Sequence, residues 1–251
     1  MSGARPSGAG YAPAGSARLA EATSSEVEAG AAAGPTTLLV PLGATEQHGP
    51  HLPIGTDAAI AVALAEGAVT ELPSAIVAPV LPYGSSGEHQ DFAGTLSIGA
   101  VCTELVLVEL GRSATETFAR VLFVNAHGGN AGPLVAAVRR LRDEGRDVRA
   151  WSPRFGGDAH AGRTETSLML ALGTVPIDHG APGNSAPLTE LIGDLRSEGV
   201  RAVSPNGVLG DPTGASSEQG HALLAAAIDD LRATLAAWPA VGSKPAVEVA
   251  R

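Results

Sequence analysis

The sequence predicts an α/β fold built on a mostly parallel sheet with helices on both faces. Three observations lead there. Strand-like and helix-like segments alternate from Thr36 to Ala237, the order that parallel crossover units require. Residues with ligand chemistry fall just after the first, third and fourth strand-like runs, at strand carboxyl ends, where open α/β sheets gather their ligand sites. The 251 residues suffice for a substantial core, and no linker or internal repeat divides them, so a single domain over residues 16–238 is expected.

Residues 1–15, rich in Gly, Ala, Ser and Pro, read as a disordered tail, and residues 16–28 as a short helix. The run TTLLVPL at 36–42 is the first strand. Residues 57–72 form a periodic helix led by Asp57, a carboxylate suited to a helix N-terminus. A second strand at 75–80 leads into a glycine-rich polar loop at 83–95, too long for a simple turn. A helix at 101–118 precedes the third strand, RVLFVN at 120–125. The AHGGN turn follows, its glycines allowing a tight reversal before a helix at 133–144. A fourth strand at 148–152 and helices at 160–172, 187–197 and 216–237 complete the domain. Residues 239–251 read as a loose tail.

Composition excludes several classes. Aromatic residues make up only 3% of the chain, so Ala, Val and Leu must fill the core. The net charge is −10, without a Lys/Arg cluster, which argues against nucleic-acid or anionic-membrane partners. Cys102 is the only cysteine, so neither an intramolecular disulfide nor a zinc ribbon is available. No apolar run approaches a membrane span, and residues 1–15 lack the apolar stretch of a secretory signal. A cytoplasmic enzyme is the expectation.

The chemistry begins in EQHGPHLPIGTD. Glu46 and His48 stand two apart, so in extended chain both side chains leave the same face. Together with Asp57 they offer two oxygen ligands and one imidazole, a set that fits Zn, Mn or Fe better than a thiolate-selective metal. The bland reading is an N-cap aspartate among polar turn residues. After the third strand, His127 reads as a metal ligand, with Asn125 and Asn130 fixing its loop by side-chain hydrogen bonds. A glycine-rich anion cradle is the rival, but the loop lacks both phosphate-binding fingerprints and a lysine. In DAHAGRTETS, a helix starting at His160 would set Glu165 five positions on, roughly 140° around the axis. The two side chains would then diverge, one toward metal and one toward substrate; a capped helix start with Glu165 in a surface pair is the structural alternative. Ser86, Glu88 and His89 of the long polar loop are expected to contact substrate or support the site. His51, His179 and His221 lack such context. His221 reads as solvated, and Cys102 as buried packing, since no neighbour would lower its thiol pKa.

Together, GATEQHGPHLPIGTD, VNAHGGN and HAGRTETSLML resemble the creatininase (creatinine amidohydrolase) family over residues 36–237. The resemblance implies a three-layer α/β/α sandwich, a homo-oligomer such as a hexamer, and amide hydrolysis with two divalent metal ions per chain (Zn, Fe or Mn). It implies Glu46 and His127 on one metal, His48 on the other, and Asp57 bridging them. Creatininase itself carries a further Glu two residues after the His of the third-strand loop. Gly129 stands there in this chain, and Glu165 is expected to supply the missing carboxylate. Within the family, GSSGEHQDFAGTLSIG and GGDAHAG most resemble the members that release a C-terminal Val-Tyr-derived dipeptide from a modified precursor peptide. Creatininase closes its small substrate under tryptophans, whereas residues 152–159 contain Phe155 and no Trp, an entrance suited to a peptide tail. The expected reaction is attack on a scissile carbonyl by metal-activated water, with His160 as general acid for the amine. Two alternatives compete with it. One is deformylation or cyclic-amide hydrolysis at the same kind of site; the other is a nucleotide- or metal-binding regulatory module without turnover.

Overall fold

The computed structural model describes residues 17–173 and 181–238. The two expected tails and His179 lie outside the described residues. Four parallel strands form the sheet in the order β2-β1-β3-β4: β1 (Thr37–Leu42), β2 (Ala75–Val77), β3 (Arg120–Asn125) and β4 (Val148–Trp151). The strands match the expected runs to within a residue, except β2, which stops three residues early. Pro79 has no N–H to give the ladder, and pairing returns only as an isolated bridge between Leu42 and Leu81. Thr37 lies opposite Arg120 and Leu42 opposite Asn125, so β1 and β3 end level with each other. Their following loops therefore start side by side.

Alternate strand residues enter different cores. Leu39, Leu122 and Val124 pack against Ile60 and Leu64 of α2 (Thr56–Val69), Leu168 of α5 (Arg163–Ala171), and Leu224 and Leu231 of α8 (Ser217–Ala236). Leu38, Val40, Val121 and Phe123 meet Leu107 of α3 (Gly99–Ala114) and Leu134 and Leu141 of α4 (Ala131–Asp143); Val27 of α1 (Ser24–Ala33) packs alongside. The result is the three-layer α/β/α sandwich. Leu39 and Leu122 are fully buried in the sheet, where truncation to Ala costs about 2–5 kcal/mol.

Three local expectations change. The helix expected at 16–28 begins instead at Ser24. Thr23 caps it and Glu26 returns the bond to the Thr23 amide, a capping box that fixes the start. The helix expected from His160 begins at Arg163, and His160 lies in extended chain, bridged to Leu209. Cys102 is exposed rather than packed, because the buried stripe of α3 runs through Thr103, Leu107, Val108 and Gly111 and turns it outward. The two helices α6 (Leu188–Glu198) and α7 (Val200–Val203) sit on a small cluster of their own, Leu191, Leu195, Val200 and Leu209, with Phe92 against it. Among the described residues no helix is long and apolar enough to cross a membrane.

Candidate metal centre

Beyond β1 the chain turns tightly at Gly43. A β-carbon there would lie 2.5 Å from the amide nitrogen of Ala58, so only glycine lets the first turn of α2 sit against the strand end. That contact carries Asp57, the second residue of α2, over the sheet edge. The intervening loop closes on itself. The Glu46 N–H donates to the Ile54 carbonyl at 3.1 Å, and His48 pairs with Leu52 in an antiparallel bridge. Glu46, His48 and Asp57 are thereby buried together, none more than 2% exposed.

After β3, the asparagines lock the loop as expected. Asn125 Nδ2 donates to the His127 carbonyl at 2.8 Å. Asn130 accepts from the Ser85 amide and donates to the Gly43 carbonyl, tying three loops together. A β-carbon at Gly84 would meet Asn130 Oδ1 at 2.3 Å, which explains that glycine.

Two histidines then face one aspartate. His48 Nδ1 donates to the Glu46 carbonyl at 3.1 Å, leaving Nε2 bare at 3.2 Å from Asp57 Oδ1. His127 Nε2 donates to the Ser85 carbonyl at 2.8 Å, leaving Nδ1 at 3.3 Å from both Asp57 Oδ2 and Glu46 Oε1. Backbone carbonyls only accept, so each of these ring tautomers is fixed by its outer partner. A bare ring nitrogen and a carboxylate oxygen present lone pairs to each other and need a cation between them. Glu46 Oε2 and Asp57 Oδ2 are moreover buried with no hydrogen-bond partner. Oxygen and imidazole ligands of this kind fit Zn, Mn or Fe.

Protons are the competing cations. Burial works against charge at every one of these groups, and the opposite charges overcome it. Asp57 raises His48 to about 10, Glu46 raises His127 well above its usual range, and His127 in turn lowers Glu46 to about 2. Asp57 is depressed chiefly by His48. Metal loading must therefore release protons.

His160 and Glu165 join the same centre. His160 Nε2 donates to the Gln47 carbonyl at 2.8 Å, so its bare Nδ1 lies 3.8 Å from Glu46 Oε1 and 4.0 Å from Glu165 Oε2. Glu165 Oε2 accepts from the Ala161 amide at 2.6 Å and lies 3.8 Å from His48 Nε2. The expected divergence of the two side chains does not occur, because α5 starts after His160. Three groups thus bring one ligand atom each within 4.8 Å of one another: Glu46 with Asp57 and His127; His48 with His160 and Glu165; and Glu46 with His89 and His160.

The polar loop divides. Glu88 and His89 line a cavity of about 820 Å³ that opens over Glu46, Asp57, His127, His160 and Glu165. Ser86 departs from the expected substrate contact: it is fully buried, with Oγ 3.3 Å from His127 Nε2, behind the ring rather than in the cavity. Space at Gly129 is also filled. A β-carbon there would lie 2.1 Å from the Ser85 carbonyl oxygen and 2.8 Å from Glu88 Oε1, so no side chain fits. Burial pushes the Glu88 carboxyl up.

Sequence reasoning missed three contributors. Gln47, between Glu46 and His48, is 6% exposed and hydrogen-bonds to His89. His51 is buried, 3.0 Å from Thr166 Oγ1 of α5. Leu188, Ile192 and Leu195 of α6 form an apolar side of the cavity. No tryptophan lines that cavity among the described residues, and Trp151 is spent on a 2.7 Å hydrogen bond to Asp230.

An α/β/α sheet carrying carboxylates and imidazoles around one shared aspartate at its strand ends defines a metal-site hydrolase. The creatininase family model, described as creatinine amidohydrolase, matches residues 20–235, and the chain belongs to that family. It is 50% identical over 214 residues to a mycofactocin precursor peptide peptidase of Mycobacterium ulcerans (strain Agy99), covering 80% of this chain and 85% of that one. The peptidase of the same name from Mycobacterium tuberculosis (strain ATCC 25618 / H37Rv) is 46% identical over 233 residues, 88% and 91% of the two chains. Creatinine amidohydrolase of Pseudomonas putida is 31% identical over 237 residues, 82% and 91% of the chains. Among solved structures, a creatininase superposes with a TM-score of 0.76 at 26% identity, covering 90% of this chain and 99% of that one. A manganese creatininase superposes with a TM-score of 0.73 at 26% identity, over 89% and 99%.

Proposed function

We propose that this chain is a two-metal peptidase that cuts an amide bond near the C-terminus of a modified precursor peptide, releasing a Val-Tyr-derived dipeptide. One observation carries the metal half of this reading: the two oxygens of Asp57 face the bare nitrogens of two different histidines. Glu46, His127 and Asp57 would hold one divalent cation, and His48, Asp57 and Glu165 the other, with Zn, Fe or Mn compatible. Such cations supply Lewis acidity, bringing the pKa of water from about 15.7 toward about 7 and drawing charge from a carbonyl oxygen.

The rest falls to the protein. Water oxygen attacks the scissile carbonyl carbon and sheds a proton, which His160 Nδ1 accepts, the nitrogen its bond to Gln47 leaves bare. As the C–N bond breaks, His160 returns that proton to the departing amine, which is a poor leaving group without it. Size supports a peptide: the cavity of about 820 Å³, walled by Leu188, Ile192 and Leu195, exceeds what a small cyclic amide fills. The relatives at 46–50% identity, named for peptide cleavage, point the same way.

The same reading has the enzyme acting in the cytoplasm as a homo-oligomer. Val101 and Val135, 73% and 69% exposed on the neighbouring helices α3 and α4, support self-association. The test is incubation of metal-loaded protein with the modified precursor, read by mass spectrometry, beside formamide and creatinine. Release of the dipeptide alone is expected. Turnover of only a small amide moves the chain to another reaction of its family.

A further inference from the structure

Gln47 lies between two metal-ligand candidates, yet its side chain turns to a different task. Gln47 Oε1 accepts from the Gly49 amide at 2.8 Å, and Nε2 donates to the Gly207 carbonyl at 3.0 Å. A backbone N–H at one end and a backbone carbonyl at the other fix the amide; turned over, both contacts would be repulsive. Gly207 is required by this packing, since a β-carbon there would lie 2.0 Å from Gln47 Oε1 and its φ is +80°.

With one Nε2 hydrogen on Gly207, the second points at His89 Nδ1, 2.8 Å away. An amide nitrogen cannot accept, so His89 Nδ1 must be the acceptor and carry no proton. The ring proton is then on Nε2, which faces the cavity 3.5 Å from Glu46 Oε1. His160, 3.1 Å from the same amide nitrogen, takes the opposite arrangement: its Nε2–H is spent on the Gln47 carbonyl and its cavity nitrogen is bare. One glutamine thus presents an acceptor and a donor, on rings whose centroids are 4.5 Å apart.

We propose that Gln47 is a positioning residue that holds His89 as an N–H donor to the substrate carbonyl oxygen, so that the Glu46–His89–His160 group is not a metal site. A nitrogen that carries a proton has no lone pair for a cation, but it can bond an oxygen gaining negative charge during attack, at no cost in reorganisation. This role rests on the amide-hydrolase reading, whereas the tautomers do not depend on it.

Nitrogen-15 NMR of the histidine rings, on zinc-loaded protein without substrate, reads the arrangement directly. The expected result is His89 protonated at Nε2 and His160 at Nε2; a proton on His89 Nδ1, or a zinc-shifted His89 Nε2, overturns the proposal. Hydrolysis of the precursor then tests the consequence. His89→Ala should lower kcat about 10²–10³-fold with KM little changed and metal content intact. His89→Gln, which can place an amide N–H near the position of Nε2, should recover a large part of that loss. In Gln47→Glu the new carboxylate can only accept, so the His89 proton should move to Nδ1 and kcat fall. Loss of a metal ion in His89→Ala, or equal losses for His89→Ala and His89→Gln, refutes the donor role. If the tautomers are as described and the precursor is not cut, it is the proposed reaction that fails.

Discussion

On the strand side of the cavity Glu46, His48, Asp57 and His127 are at most 5% exposed, and each histidine is aimed by a bond from its outer nitrogen to a backbone carbonyl. On α6, which lines the same cavity, Leu188 and Ile192 are 45% and 39% exposed, and the helix is held through Leu191 and Leu195 in a four-residue cluster detached from the two main cores. The first region is rigid because each ring is held by its outer nitrogen and all four side chains are buried. The second is held by a few apolar contacts, and local opening takes its free energy from such weakly packed parts. On the proposed function, chemistry would reside on the sheet and the selection of substrate on the more weakly held helix.

Substitutions on the rigid side should have the largest effects. Asp57→Ala removes the one carboxylate that faces both histidines. It should abolish hydrolysis and leave the protein without either ion in elemental analysis; an Asp57→Ala protein that keeps two bound ions per chain ends the bridging assignment. His160→Ala comes next. It should retain both ions and lose about 10²–10⁴ in turnover, the usual worth of a positioned proton carrier. Unchanged turnover removes His160 from the reaction, and loss of an ion makes it a ligand instead. Glu165→Gln keeps the shape and gives up the charge near His48, and should weaken the affinity for one ion about 10–100-fold, the range seen when support of a metal site is removed. Titration with a chelator that competes for zinc measures this, and an affinity equal to that of the parent protein discards Glu165 as the replacement carboxylate.

How much of this was legible follows the same division. Strands β1 and β3 show in sequence because the apolar runs LLVPL and VLFV inside them must be buried. Glu46, His48 and His127 show because they sit within six residues of those strand ends, and Asp57 because it leads the helix that follows. Gln47 does not show: apart from Gly49 its partners are His89, His160 and Gly207, 42 to 160 residues away, and only the fold brings them together. α5 starts at Arg163 rather than at His160 because His160 pairs with Leu209, a long-range bridge that overrides a local helix signal. Its place in a polar loop predicts that Ser86 faces the cavity. Which side of that loop faces inward is decided by Asn130 and His127, from another strand end.

The smallest predicted effect tests the adjustable side. Leu188→Ala with Ile192→Ala removes several methylene equivalents from the α6 side of the cavity while touching none of the groups around Asp57. Both residues are partly exposed, so little stability is lost and the thermal midpoint should stay within a few degrees of the parent's. Apolar contacts made equally by bound substrate and transition state set KM rather than kcat, and a methylene or two in such a pocket is worth roughly 10-fold or somewhat more. For the precursor peptide KM should therefore rise about 10-fold at unchanged kcat, while any residual hydrolysis of a small formamide, too short to reach α6, stays constant. A fall in kcat for both substrates would mean that α6 shapes the metal site itself, and the two regions would then act as one.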